Sequence, residues 1–459
     1  MHKVKITRAM KRELNDKRTP IMDLLKVKKH FFKDLDNSLN NVVDPRHGSY
    51  TVYRPLELLM TPLLGNLMTI KTVTGITENF NDDGSIENFR LIVKNPELAE
   101  IPHHDTITDF LKELNPDELL NVKTGMIKNL LKKRSFERYR FESKKKKYWL
   151  VAVDATGTHS FNKRHCEHCL TRKHVDKETG IETFSYYHNV LEAKLILGKF
   201  VFSIGTEFIE NEDEFVTKQD CERNAFKRLS KRLKKDFSRL PICILADSLY
   251  ANGPVMDICK SNRWAYIIRF KSGSIKTLNK EFEDIKNLEN KCVIKEDRKN
   301  KIHQKYVHVN DLYYKTHTIS IAELEETKTE LTAGKEVKKV LKFKYISSNE
   351  VSNKTVIDVV STGRMRWKIE NEGFNVQKNH GYEIHHLKST NVNAMKNHYL
   401  LIQIAHIIRQ IYDKGVKVLR KLKLSIKKES KHLLASFRRQ LTEKDLQEIE
   451  TCKIQVRFL

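Results

Sequence analysis

Glycine and proline are scarce, 16 and 9 in 459 residues. That excludes a collagen-like repeat and argues against low-complexity disorder. Long apolar runs are missing as well. The longest, Leu56–Ile70, is interrupted by Glu57, Pro62 and Gly65, and a second, Leu400–Ile408, stops at Arg409. Both are too short or too broken to span a bilayer, so they read as buried helices and no membrane partner is expected. Met1–Leu14 alternates basic and apolar residues without an apolar centre and does not read as a secretory signal. Cysteine is sparse and odd in number, seven, in a lysine-rich chain. That pattern points to a reducing, cytoplasmic setting rather than a disulfide framework.

Acids are outnumbered: 85 Lys and Arg stand against 59 Asp and Glu, a formal charge of +26. A polyanion is therefore the first partner to consider. Hydrophobic residues make up 39 %, with 21 Phe and 15 Tyr, enough for a sizeable core.

Residues 1–142 read as a helical N-terminal region and a candidate DNA-binding unit. Asn115-Pro116-Asp117-Glu118 is a helix start, with Asn as cap, Pro in the first turn and Glu118 reaching back. That helix should run to about Arg134, and Asp105 or Thr106 should cap a shorter one before it. Such a pair either docks on DNA or simply packs. Residues 143–274 read as the first part of an α/β core. Tyr148–Asp154 is a buried strand ending in a carboxylate, followed by a His- and Cys-rich loop over 159–180 and strands near 184–196 and 200–208. A helix from about Lys218 to Phe237 carries Cys221, Ala225, Leu229, Leu233 and Phe237 as an apolar stripe. Its other faces hold Arg223, Lys227, Lys231 and Lys234, which either solvate the helix or track phosphates. Pro241–Asp247 is a second buried strand ending in Asp, then a helix near 254–262 and a strand near 264–269. Residues 275–350 alternate charged and β-favouring residues and read as an inserted β-rich subdomain. Residues 351–390 read as a core helix with a third acid, Glu370. Residues 391–459 read as a helical C-terminal region, with Thr442 as a cap.

Asp154, Asp247 and Glu370 belong together. Adjacent strand ends bring side chains close, and a helix packed there can add a third. Three carboxylates at one point repel unless cations lie between them. An all-oxygen site suits Mg²⁺ or Mn²⁺, and two such ions can clamp both oxygens of a phosphoryl displacement.

On Val151–Gly157, Ile244–Tyr250 and Arg366–Glu370 with Asn371–Asn375, the sequence resembles the DDE transposases of bacterial insertion sequences. It is most similar to the group with a β-rich insertion before the last acid. The resemblance implies a ribonuclease-H-like catalytic core flanked by helical regions. It also implies Mg²⁺-dependent cleavage and joining of DNA at terminal inverted repeats and target DNA, usually by a homodimer, in the bacterial cytoplasm at the nucleoid. Asp154, Asp247 and Glu370 are then both catalytic residues and metal ligands. The family's last motif is often Tyr-x2-Arg-x3-Glu-x6-Lys. Arg366 and Glu370 match it, Gly363 stands at the Tyr position and Gln377 at the Lys position, with Lys378 one residue late. Seven helical residues return to about 20° from the start and eight land about 80° away. Lys378 is thus expected at the flank of Glu370 unless Gly373 loosens the helix and re-aims it. Arg366 can pair with Glu370 or with a phosphate. Trp367 reads as a core residue.

Cys166-Glu167-His168-Cys169 has zinc-knuckle spacing. His159, His165, His168, His174 and His188 fall within the same 30 residues as these cysteines; with one Cys-x2-Cys, the other ligands must be histidines, and His165, His168 and His174 are the candidates for a structural Zn²⁺, the alternative being a loop without metal. Two other functional classes fit the same residues. One is a metal-dependent nuclease that cleaves without joining, and the other is an inert, transposase-derived DNA-binding protein.

Overall fold

The structure, a computed structural model, describes residues 7–16, 18–289, 292–332, 335–451 and 456. Eleven strands join one sheet among these residues: β1 (Phe141–Ser143), β2 (Lys146–Phe161), β3 (Leu170–Val175), β4 (Glu182–Leu197), β5 (Phe200–Ile209), β6 (Ile242–Ala246), β7 (Ala265–Phe270), β8 (Val293–Asp297), β9 (Ile302–Tyr314), β10 (His317–Thr332) and β11 (Lys335–Ser347). Their order is β3-β4-β2-β6-β7-β11-β10-β9-β8, with β5 also on β4 and β1 on β2. At the centre, β5-β4-β2-β6-β7 pairs β2, β6 and β7 in parallel and β4 and β5 antiparallel. This is a mixed α/β, ribonuclease-H-like core.

Burial on both faces explains why the central strands are unbroken apolar runs. On one face Val151, Val153, Ile244 and Ala246 share a core with Ala225, Leu229 and Leu233 of the helix Glu222–Asp236. That helix lies so close to β5 that a Cβ on Gly205 would stand 2.8 Å from Leu229 Cδ1. On the other face Leu150, Ala152, Cys243, Leu245 and Ile267 pack with Val356, Val359, Val360, Ile369 and Phe374.

The N-terminal and C-terminal helices form one body around Val392–Gly415, a helix buried on nearly all sides. Asn397 Nδ2 donates to the carbonyls of Leu111 and Leu114 at 2.9 and 2.7 Å. Gln410 receives the Val201 amide at 2.8 Å and donates to its carbonyl at 2.7 Å. The run Leu400–Ile408 is the middle of this helix, and Leu56–Ile70 mostly forms the buried helix Pro55–Leu67. No described helix is long and apolar enough to cross a membrane.

Several expectations change. The strand through Asp154 does not end there but continues to Phe161, because β4 goes on pairing with it from Ala155 to Phe161. Part of the expected His-Cys loop is strand β3. The segment 275–350 opens with a helix, Lys276–Glu289, whose Leu278 and Phe282 are buried. Its strands are no separate sheet: β11 pairs β7 from Lys344↔Phe270 to Ser347↔Ile267. The first short helix starts at His104 with His103 as its cap, so Asp105 lies inside the first turn. The next, Pro116–Lys132, is capped by Asn115, but Glu118 reaches the Val43 amide instead of its own cap. Its inner face is buried, and Lys123 is inserted to bond Ser203 Oγ at 2.7 Å. The opposite face of the helix, with Asp117, Asn121, Lys128 and Lys132, is exposed. Thr442 does cap the last helix, accepting from Asp445 N at 3.2 Å while Asp445 accepts from its amide at 2.9 Å.

Candidate active site

The parallel ladder between β2 and β6 ends at Ala152↔Leu245. Two more residues along each chain put Asp154 level with Asp247. Both share the face of Ala152 and Leu245, because side chains alternate along a strand. That is the face covered by residues 356–374, so Glu370 comes from the element packed against the two aspartates. Asp247 stands just past β6 and caps the turn Ser248–Tyr250, accepting from Leu249 N at 2.9 Å.

One nitrogen ties two of the acids together. Arg366 Nη1 donates to Asp154 Oδ2 at 3.0 Å and to Glu370 Oε1 at 2.8 Å. Burial pushes the Asp154 carboxyl up to about 7; Arg366 opposes the rise, and Glu370 and Asp247 add to it. The three carboxylates do not all lie within 4.8 Å of one another. A guanidinium bridges two of them, and the third is held by its own turn.

Glu370 is the second residue of a π-helical turn, Ile369–Phe374, followed by the helix Asn375–Asn379. A π turn takes one extra residue per turn, a device found often at functional sites. The extra residue rotates the helix after it by about 100° in phase. Gln377 turns inward and is fully buried, bonded to Lys194 Nζ at 3.1 Å, Gln403 at 2.8 Å and His406 Nδ1 at 2.9 Å. At Lys378 burial lowers the ammonium pKa, and the Asp154 charge works against that lowering. Gly373 fits the turn because its Cα faces the Lys194 side chain, 3.3 Å from where a Cβ would stand.

Gly363, at the position of the motif's tyrosine, lies under a ring. A Cβ there would be 2.5 Å from Tyr345 Cδ1. The inserted strand β11 thus supplies a tyrosine to the space that residue 363 leaves open. Trp367 is not core: it is 47 % exposed and meets Phe343 edge-on at 6.2 Å.

Two neighbours escaped sequence reasoning. Tyr250 OH donates to Glu222 Oε2 at 3.3 Å. Burial and the nearby Asp247 charge hold the Glu222 carboxyl above its ordinary range. An acid in a helix's first turn is too common to signal a site.

On the helix Glu222–Asp236, Arg223, Lys227 and Lys231 are exposed and form no ion pair among the described residues. They lie on a helix that packs on the sheet face opposite the one that carries Asp154 and Asp247. Lys234 does not belong with them, because its ammonium is bound to the carbonyls of Ser238 and Asn262 at 3.0 and 3.2 Å.

In the His-Cys segment, His165, Cys166, Cys169 and His188 converge. His168 and His174 do not: His168 Nδ1 bonds the Asn211 carbonyl at 2.8 Å, and His174 Nε2 bonds Ser185 Oγ at 2.9 Å.

A family model described as Transposase DDE domain matches residues 213–408. The match includes Asp247, Glu370 and the inserted strands, and begins 59 residues after Asp154. It supports a DDE transposase type of catalytic core. No curated protein matches the chain.

Proposed function

We propose that this chain, with a Transposase DDE domain match over residues 213–408, is the DNA transposase of an insertion sequence. Asp154, Asp247 and Glu370 are its catalytic carboxylates. The observation that carries the reading is their placement. Asp154 on β2 lies level with Asp247 just past the parallel strand β6, and Arg366 ties Asp154 to Glu370 at 3.0 and 2.8 Å.

The residues fit a divalent metal. The donor set is all carboxylate oxygen, and Asp154 is desolvated with two like charges beside it, a shortage of positive charge that Mg²⁺ or Mn²⁺ would meet. When bound, such ions stabilise the attacking and leaving oxygens of an in-line displacement at phosphorus. The chain's own part is positional. Arg366 orients Asp154 and Glu370 and lends charge to a phosphate. Lys378 adds a second cation on the same side. Gln377, clamped by Lys194, Gln403 and His406, fixes the helix Asn375–Asn379 that carries Lys378. Arg223, Lys227 and Lys231 grip backbone phosphates without reading sequence. The substrates are the element's terminal repeats and target DNA, handled by a homodimer in the bacterial cytoplasm.

Asp154→Asn and Asp247→Asn are expected to abolish Mg²⁺-dependent cleavage of terminal-repeat DNA while leaving binding within a few-fold. Retained cleavage sinks the assignment. Cleavage without strand transfer on a paired-end substrate makes the chain a nuclease, and absence of any nicking by the unaltered chain makes it an inert DNA-binding protein.

A further inference from the structure

His165 and Cys166 leave the loop after β2, Cys169 immediately precedes β3, and His188 stands on β4, opposite His159 of β2. Four of their atoms face one point. His165 Nδ1 is 3.1 Å from Cys169 Sγ, and the two sulfurs are 3.3 Å apart. His188 Nε2 is 3.4 Å from Cys166 Sγ and 3.5 Å from Cys169 Sγ. All four atoms lie within 4.8 Å of one another. A tetrahedral ion with Zn–S near 2.3 Å and Zn–N near 2.0 Å has ligand–ligand edges of about 3.3–3.8 Å. The observed distances come close to that figure. A disulfide, by contrast, needs its sulfurs at about 2.0 Å.

The scaffold is built for it. The turn Cys166–Cys169 is closed by the Cys169 amide on the Cys166 carbonyl at 3.4 Å. Buried Asn211 clamps that turn from behind: its Nδ2 donates to the Cys169 carbonyl at 3.0 Å, and its amide to the His168 carbonyl at 3.2 Å. Asn211 also takes His168 Nδ1 on its own carbonyl, and His168 is not among the four residues that converge. The fourth ligand comes from a strand that the sheet already holds rigid.

We propose that His165, Cys166, Cys169 and His188 bind a structural Zn²⁺ that pins the loop between β2 and β3 onto β4. All four positions are filled by the chain, so no position is open to water and the ion is not catalytic. What it holds in place is the end of the β2–β4 ribbon beyond Asp154. That end carries Arg164 over Tyr186 at 5.2 Å and Arg172 over Tyr187 at 5.0 Å. The site is independent of the transposase reading, since it needs none of the three carboxylates.

The test uses the full chain, purified without a histidine tag and under reductant. About one zinc per chain is expected, and Co²⁺ in its place should give the intense ligand-field bands of a tetrahedral two-sulfur, two-nitrogen site. Cys166→Ser and His188→Ala should weaken metal binding by at least roughly tenfold, whereas His168→Ala and His174→Ala should leave it unchanged. Chelation should open residues 162–181 to proteases while the rest of the chain stays folded. The proposal is overturned by an octahedral Co²⁺ spectrum, by metal kept in His188→Ala but lost in His168→Ala, or by a metal-free Cys166–Cys169 disulfide. If a variant fails to fold, the Co²⁺ spectrum of the unaltered chain still decides.

Discussion

Arg366 and Asp154, 212 residues apart in sequence, meet at 3.0 Å. The contact is a charge-assisted hydrogen bond in a mostly desolvated setting, and the same guanidinium nitrogen holds Glu370. Arg366→Ala is expected to lower the rate of DNA nicking by about 100-fold or more, the scale for losing one preorganised charge donor. DNA affinity should fall much less. Arg366→Lys should restore affinity but not rate, because a point charge cannot reproduce the planar fork. Nicking and gel-shift assays on the same preparations check both; a lysine variant with full rate contradicts the orienting role.

Gln377→Lys restores the family's lysine at its usual spacing, yet it should damage this protein. Residue 377 is fully buried beside Lys194 and His406, so an added ammonium there has no partner. A loss of about 3 kcal/mol or more in urea unfolding is expected. Lys378→Ala should leave stability nearly unchanged and weaken both DNA binding and cleavage. The opposite ranking of the two variants would place the π turn's effect elsewhere.

Gly363→Ala should destabilise by about 1–3 kcal/mol, because its Cβ meets the Tyr345 ring rather than a flexible chain end. Adding Tyr345→Leu should recover part of that loss, a coupling readable in a double-mutant cycle of unfolding free energies.

Lys194 is buried and its ammonium is pushed down to about 8, chiefly by desolvation, with Glu192 opposing that shift. Between pH 8 and the ordinary lysine value, the unfolded chain holds a proton that the folded chain has released. Stability from this group therefore rises with pH across that window and is lowest below it. The slope is at most roughly 1.4 kcal/mol per pH unit. Lys194→Met should remove that rise, measured as the difference between the two proteins' unfolding free energies from pH 7 to pH 10. A difference that does not change with pH contradicts a depressed Lys194.

How much of the fold and site is legible in the sequence depends on which signals are local. Asp154 and Asp247 stand out because each comes after an unbroken apolar run, and burial on both sheet faces requires such runs. The stripe Ala225, Leu229, Leu233 marks its helix for the same reason. The full length of β2 is less visible, because past Asp154 its residues are threonines, glycine and histidine that only pairing with β4 keeps extended. The helix Lys276–Glu289 is hidden by lysines and acids that outnumber its two buried residues. His188 lies 22 residues from Cys166, and strand register rather than spacing brings them together. The π turn's one sign in the sequence is Gly373, and its effect is to bring Lys378 to the phase that Gln377 would otherwise hold.

Gln410 imitates a strand. Its one side-chain amide receives from and donates to Val201, as a neighbouring β-residue's backbone does, so the outer edge of β5 is already paired at that point. Two copies of the chain cannot extend their sheets into each other through Val201 without first evicting the helix Val392–Gly415. That helix also holds Leu111 and Leu114, so such a merger would unfasten the N-terminal helices as well. A dimer that leaves the fold intact has to be built from other surfaces.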